Sequence, residues 1–159
     1  MRGAGIAGGL IAAYWLADGY VIGLPVAGAA AVWNPWTVFL ATVAVVLPIN
    51  LAACRWIDTA WSSWAGGSSG ARIEKQLAKV RATRLGRATE RWIASDSDAR
   101  YATAAALTCA IVTVTLGRSM GGQPLGRRRV WLAALSYALF FAGLFTLIGV
   151  LAGTALGAL

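Results

Sequence analysis

The sequence predicts an all-α fold, a multi-pass integral membrane protein with about four transmembrane helices. Hydrophobic residues make up 58% of the 159-residue chain and charged residues only 13%. An average soluble domain is about 45–50% apolar and about 25% charged. The apolar residues form long uncharged stretches, and most of the cations lie between them. This composition excludes a disordered chain and an ordinary water-soluble enzyme, and it predicts a single membrane domain over residues 1–159.

The first apolar stretch predicts two spans joined by a turn. Asp18 is the only charged residue between positions 3 and 54. That stretch is too long for one crossing, because a helix needs about 20 residues to cross the hydrocarbon core. Asn34-Pro35 favours a turn, and the tryptophans on either side suit the membrane–water interface. We expect the first span within residues 6–32 and the second over residues 36–54.

Two later apolar runs predict the third and fourth spans. Residues 101–117 carry no charge and, at 17 residues, form the shortest acceptable span. Residues 130–159 are also uncharged and can hold one tilted span, which we place at residues 130–157. Glycines and a proline between these runs indicate a loop.

A polar segment over residues 55–100 separates the second and third spans. Its Gly-Gly-Ser-Ser-Gly sequence at residues 66–70 predicts a flexible joint. A helical pattern follows over residues 71–94, with Gly86 as a possible bend, and residues 95–98 supply caps for the next helix. We expect a basic amphipathic helix here, because three apolar residues share one helical face: Ile73, Leu77 and Val80.

The distribution of cations predicts the orientation, but with a conflict. The 55–100 segment carries nine Lys and Arg residues and the turn before residue 36 carries none, which favours a cytoplasmic loop and cytoplasmic termini. Four crossings then place Arg118 and Arg127–Arg129 outside, which the same rule disfavours. A re-entrant segment within residues 6–32 would invert the picture. We expect a multi-pass protein of the bacterial cytoplasmic (inner) membrane.

Asp18 and Asn50 are the membrane-embedded polar candidates. A carboxylate within a span is costly, at about 2.5–3.5 kcal/mol on insertion scales, and such residues often serve proton or ion pathways. The alternative is an Asp near the outer end of the span, or one bonded to a Tyr or Thr of a neighbouring helix. Asn50 follows Pro48, so its amide and the carbonyls freed by the proline can bind a ligand or, as we favour, a neighbouring helix.

Small residues at four-residue spacing predict close helix packing. The pattern joins helices of this chain or docks it on another protein, because lipid provides no hydrophobic drive for helix association. The run in the last span is the stronger signal. The candidate helix-packing residues are Gly5, Gly9, Gly149, Gly153 and Gly157.

Two groups of arginines are the candidate headgroup or partner contacts. They are the ladder of Arg84, Arg87 and Arg91 and the cluster of Arg127, Arg128 and Arg129. Because these cations flank apolar segments, anionic membrane lipids are the expected partner, together with other integral membrane subunits, and nucleic acid is not expected. For the ladder we favour a helix lying on the cytoplasmic leaflet over an acidic protein partner.

The residues of catalytic chemistry are scarce. The chain has no histidine, and its two cysteines, Cys54 and Cys109, fall in apolar segments without a CxxC motif. No P-loop, HExxH, GxSxG or paired-carboxylate pattern lies in the apolar segments. The acids of the polar loop resemble solvated helix charges. We therefore expect no catalytic residue, no metal site and no cofactor.

Two function hypotheses follow. The first is a non-catalytic accessory or assembly subunit of a larger bacterial membrane complex, with an envelope lipid transport system as a natural host. The alternative is a small homo-oligomeric transporter or channel that uses Asp18. An enzyme acting on lipid is disfavoured, because it would need a nucleophile, a base or a metal site at the interface.

Overall fold

The computed structural model describes residues 18–65, 68–121 and 123–157, and within them every regular element is helical. A π-helical turn over Gly19–Gly23 leads directly into α1. The helices are α1 (Leu24–Val32), α2 (Pro35–Ala65), α3 (Ser68–Arg81), α4 (Arg84–Ile93), α5 (Asp98–Thr108), α6 (Ala110–Gly121) and α7 (Arg127–Ala155). The all-α prediction is confirmed for this part of the chain.

The turn between α1 and α2 lies where the sequence predicts it. The Asn34 side chain accepts hydrogen bonds from the backbone N–H groups of Trp36 (2.9 Å) and Thr37 (3.4 Å), and Pro35 is the first residue of α2. Asn at the cap and Pro at the first helical position both favour a helix start. α2 continues to Ala65, so residues 55–65 extend this helix and do not open the loop. The change from apolar to polar residues at Arg55 brings no helix-breaking residue with it.

The polar middle of the chain contains two helices where the sequence predicts one. α3 ends at Arg81, and Thr83 caps α4 by accepting a hydrogen bond from the backbone N–H of Gly86 (2.9 Å). A threonine side chain competes well for such free N–H groups, so the chain restarts there. Ser68–Gly70 of the predicted joint belongs to α3, and the rest of that joint lies outside the described residues.

The prediction of a single helix over residues 101–117 is wrong, because the structure has two helices there. Cys109 has φ 102°, a backbone conformation rare for any residue but glycine, and it divides the segment into α5 and α6. The hydroxyls of Thr108 and Thr113 lie 3.1 Å apart across the break, and Thr108 also donates to the Ala104 carbonyl. The predicted cap before this segment is confirmed, because Ser97 accepts a hydrogen bond from the backbone N–H of Arg100.

α5 and α6 form a hairpin whose two ends lie at the same end of the bundle. At the start of α5, Asp98 is ion-paired with Arg128, near the start of α7. At the end of α6, Arg118 is ion-paired with Asp58 of α2. Helices of 11 and 12 residues are only about 16–18 Å long, about half of a hydrocarbon core. The hairpin therefore enters the bundle and returns to the end at which it began.

Within the described residues, two helices are long and apolar enough to cross a membrane: α2 over Pro35–Trp61 and α7 over Arg127–Ala155. Only 28% and 39% of their most apolar windows are buried within the structure. Their outward faces carry large apolar side chains, including Leu40, Val45, Ile49, Leu147, Ile148 and Leu151. The remaining apolar helix, Gly19–Val32, is shorter, and most of the first predicted span lies outside the described residues.

α1 and α7 run in the same direction and α2 runs against them. Asp18 contacts Tyr137, Gly23 lies against Phe145, and Gly149 lies against Ala27, so positions advance together along the two helices. α7 starts with its arginines beside Asp98 and the Asp58 end of α2. Its last residues therefore lie at the opposite end of the bundle, together with the Trp33–Trp36 turn. We call the end with Asp58 and Arg127 the basic end.

Candidate functional site

The structure brings Asp18 and Asn50, the two polar residues predicted within spans, to one cavity. The cavity has a volume of about 60 Å³ and lies between the π-helical turn, α2, α6 and α7. Its apolar lining includes Ile111 and Phe141. A water molecule occupies about 30 Å³ in the liquid, so the space suits one or two waters or a small cation and no larger ligand.

Asp18 is held from α7 by a tyrosine. The Tyr137 hydroxyl donates a hydrogen bond to Asp18 Oδ2 at 2.5 Å, and Tyr137 itself is fully buried. This contact agrees with the alternative of an Asp bonded to a tyrosine of a neighbouring helix. Among the described residues, no Lys or Arg is ion-paired with Asp18.

Asn50 leaves an acceptor free at the cavity. Its side-chain N–H group donates to the Val46 carbonyl at 3.0 Å, within the same helix. Its Oδ1 atom is buried and has no hydrogen-bond partner in the part of the chain that the structure describes. Asn50 is only 6% exposed, and a buried carbonyl oxygen without a partner costs about 1–3 kcal/mol. The cavity therefore combines a carboxylate with an oxygen to which no described residue donates a hydrogen bond.

Three irregular backbone segments surround this cavity. The π-helical turn starts at Gly19, immediately after Asp18. Pro48 interrupts the hydrogen bonds of α2 just before Asn50. The break at Cys109 precedes the cavity residue Ile111. π-helical turns cluster at functional sites, and interrupted helices build the ion sites of many transporters. Each of the three segments lies beside residues that line the cavity.

Tyr137 is the member of the site that the sequence did not single out. It is a tyrosine in an apolar helix, and only the general expectation of a Tyr or Thr partner for Asp18 pointed to it. Nothing in the spacing indicates which neighbouring helix provides that partner. The helix direction described above supplies this information, because it places the first half of α7 beside the π-helical turn.

Asp58 is buried, so its interpretation as a solvated helix charge is wrong. It is 8% exposed and is ion-paired with Arg118, which is 2% exposed, at 3.3 Å. The same carboxylate accepts a hydrogen bond from the backbone N–H of Leu125 at 2.9 Å. Asp58 thus connects α2, the end of the hairpin and the segment before α7. The sequence did not indicate this ion pair, because Asp58 and Arg118 are 60 residues apart and both flank apolar runs.

The three arginines of the Arg127–Arg129 cluster have different neighbours: two lie near acidic residues and one lines a pocket. Arg128 is ion-paired with Asp98. Arg129 lies 3.8 Å from Asp96, donates to the Ser95 carbonyl and sits over the ring of Tyr101. Arg127 lines a different pocket, together with Arg55 of α2. Only Arg127 of the three is without an ion pair among the described residues.

The arginine ladder of α4 points away from the core. Arg84, Arg87 and Arg91 are exposed, whereas Thr89 and Ile93 of the same helix are buried. Arg87 donates to the Ala82 carbonyl, and Arg91 donates to the Arg87 carbonyl. The ladder is therefore available to a charged surface outside the described chain.

Of the predicted packing glycines, Gly149 makes the closest contact within this chain. A Cβ atom added there would overlap the Ala27 carbonyl and come within 2.8 Å of the Ala30 Cβ atom. Gly153 is buried on the same helix, and Gly157 has φ 68° with open space around it. Gly5 and Gly9 lie outside the described residues.

Comparisons with known proteins give no further guide to the site. The chain matches no protein family, no curated protein and no solved structure. Within residues 18–65, 68–121 and 123–157, no group of three acidic, cysteine or histidine residues is arranged to hold a metal ion.

Proposed function

We propose that the chain is embedded in the bacterial inner membrane by α2, α7 and the Gly19–Val32 helix, with α5 and α6 as a re-entrant hairpin. The exposed apolar faces of α2 and α7 support this proposal, since a soluble protein would bury helices of such composition. A hairpin of two short helices is tolerated at membrane depth where protein packs around it. Here the hairpin packs against α2 and α7.

The hairpin removes the conflict in the distribution of cations. If α5 and α6 return to the basic end, Arg118 and Arg127–Arg129 lie on the same side as the cationic 55–100 segment. The rule that cytoplasmic loops are rich in Lys and Arg then places the whole basic end in the cytoplasm. The end of α7 lies on the opposite side, so the proposal replaces the expected cytoplasmic C-terminus with an external one.

Cysteine labelling tests this topology. The exposed positions Ser97, Gln123 and Leu156 are changed to Cys one at a time in a chain with Cys54 and Cys109 replaced by Ala. We expect a membrane-impermeant thiol reagent to reach Ser97→Cys and Gln123→Cys from the cytoplasmic side and Leu156→Cys from outside. A continuous third span would put Gln123→Cys and Ser97→Cys on opposite sides, so labelling of those two from different sides would contradict the hairpin.

For the activity, we propose a small transporter or channel that binds a proton or a monovalent cation at Asp18 and works as a homo-oligomer. The observation that carries the proposal is the cavity shared by the Asp18 carboxylate and the unpartnered Asn50 oxygen. Oxygen ligands suit hard cations. When the Asp18 carboxylate binds a proton, it can donate a hydrogen bond and the Tyr137 hydroxyl can accept it. The cavity within one chain has a volume of only about 60 Å³, so we place the pathway between copies.

Asp18→Asn tests the proposed activity. The full chain is reconstituted into liposomes that hold a pH-sensitive dye, and a pH gradient is applied with and without external sodium or potassium. We expect the wild type to dissipate the gradient and Asp18→Asn to reduce this flux to the level of empty liposomes, because the amide cannot exchange a proton. Asp96→Asn, which removes the same charge from a fully exposed position, is the matched control and should keep the flux.

Two outcomes would contradict the proposed activity. One is an Asp18→Asn flux equal to that of the wild type. The other is a wild-type flux no greater than that of empty liposomes, which would exclude conduction by this chain alone.

A non-catalytic accessory or assembly subunit, plausible in an envelope lipid transport system, is the second candidate function. The size of the cavity favours it, because about 60 Å³ is too small for any substrate larger than an ion or water. Purification from native membranes in mild detergent separates the two candidates. A defined complex with other membrane proteins would support the subunit, and a homo-oligomer would support the transporter.

A further inference from the structure

A second pocket opens at the basic end, between α2 and the start of α7. It has a volume of about 270 Å³, below the roughly 300–1,000 Å³ of pockets for drug-sized ligands. Arg55 and Thr59 line it from α2, and Arg127 and Trp131 line it from α7. It is separate from the Asp18 cavity, which lies deeper in the bundle.

The lining of this pocket carries more positive than negative side chains. Arg55 and Arg127 are exposed and make no ion pair with the described acids. Asp58 is the only acidic residue of the lining, and its carboxylate is already engaged by Arg118 and by the Leu125 N–H group. Two arginines therefore line a small pocket, and neither is ion-paired with a described acid. Guanidinium groups match the geometry of phosphate oxygens, which they bind through paired hydrogen bonds.

The surroundings of the pocket indicate where the anion comes from. Trp131 in the lining is 47% exposed, and Trp56, which follows Arg55, is 61% exposed. Tryptophans with an apolar face and a polar N–H group are enriched at the membrane–water interface. From this level, the outward apolar surfaces of α2 and α7 continue along the outside of the bundle towards its other end. A phospholipid whose anionic headgroup is bound at the arginines could thus lay its acyl chains along those surfaces.

We propose that Arg55 and Arg127 bind the phosphate group of one anionic phospholipid, with its acyl chains on the outer faces of α2 and α7. The proposal rests on the proposed membrane embedding but not on ion binding at Asp18. Of the predicted headgroup contacts in the Arg127–Arg129 cluster, the proposal keeps only Arg127, because Arg128 is ion-paired with Asp98 and Arg129 lies near Asp96.

Lipid retention tests this site. The full chain is extracted from nanodiscs of phosphatidylcholine and phosphatidylglycerol, washed in detergent, and examined by native mass spectrometry for bound phosphatidylglycerol. We expect one retained molecule per chain, and a loss of about tenfold in its affinity for Arg55→Gln and for Arg127→Gln, as expected for removal of a charged hydrogen bond. Arg127→Lys should lose part of the affinity, since it keeps the charge but not the paired bonds.

Arg100→Gln is the matched control, because Arg100 is an exposed cation of α5 outside the pocket. Equal lipid retention by Arg100→Gln, Arg55→Gln and Arg127→Gln would overturn the proposal. Displacement of the lipid by millimolar inorganic phosphate would overturn the lipid as the source while keeping phosphate as the bound group. All variants are first compared with the wild type by thermal melting and size exclusion. Topology is tested separately by cysteine labelling, so a failure here concerns the pocket alone.

Discussion

Asp58→Asn is expected to destabilise the protein more than any other single charge removal at the basic end. The substitution removes the carboxylate that is ion-paired with Arg118, whose side chain is only 2% exposed. Breaking a buried ion pair by removing one partner costs about 3–5 kcal/mol, because the remaining charge is uncompensated. We expect a clear fall in the melting temperature in detergent, measured by size exclusion after heating.

Two further variants make this prediction specific. Asp96→Asn removes a carboxylate that is fully exposed and 3.8 Å from Arg129, and exposed pairs contribute only about 0–1 kcal/mol. Asp58→Asn combined with Arg118→Met should recover much of the lost stability, because an apolar side chain of similar length carries no charge to compensate. The prediction fails if Asp58→Asn melts like Asp96→Asn, or if adding Arg118→Met lowers the stability further.

Gly149→Leu is expected to separate α1 from α7. The backbone of α1 lies so close to Gly149 that even a single added carbon would overlap the Ala27 carbonyl. Because the obstructing atoms belong to the backbone of α1, they cannot move aside as a flexible side chain would. The two helices must therefore shift apart. Overpacking of this kind costs about 1–3 kcal/mol and sometimes more. The shift would also move Asp18 away from Tyr137, so we expect lower thermal stability and altered flux in the liposome assay.

Gly143→Ala on the same helix is the control. The nearest atom to an added Cβ at Gly143 is Phe39 Cε2, at 3.9 Å, an ordinary contact distance. Alanine favours a helix over glycine by about 1 kcal/mol, so this variant should match or exceed the stability of the wild type. Similar destabilisation at positions 143 and 149 would contradict the prediction, because an added Cβ atom meets a close backbone contact at Gly149 and an ordinary contact at Gly143.

Local signals in the sequence predicted the local structure well. The Asn34-Pro35 turn, the start of α2 and the Ser97 cap all depend on residues within one helical turn of each other. Two apolar helices, α2 and α7, also follow from composition alone. These features needed no knowledge of which helix packs against which.

The features that the sequence did not predict depend on contacts between distant segments. The run over residues 101–117 is apolar enough for one span, and no glycine or proline marks Cys109 as a break. Thr83, whose side chain caps α4, lies in a continuous helical pattern that gives no sign of a new helix start. Asp58 and Arg118 become partners only because the hairpin returns to the basic end. Hydropathy reports the length and polarity of a segment but not the direction of the chain after it.

Asp18 and Asn50 illustrate the same division. Each was singled out because a polar side chain in an apolar helix is costly. Their meeting in one cavity, and the contribution of Tyr137 from α7, required the direction and register of three helices. The sequence could supply candidates for the site, whereas their joint geometry came from the packing.

The hairpin also sets an order of events during biosynthesis. Its supports come from both sides along the chain: α2 leaves the ribosome before it, and α7 leaves after it. Neither α5 nor α6 is long enough to settle across the bilayer by itself. In the proposed topology, we therefore expect the hairpin to stay on the cytoplasmic side until translation has passed α7, and to be the last part of the molecule to reach its native position.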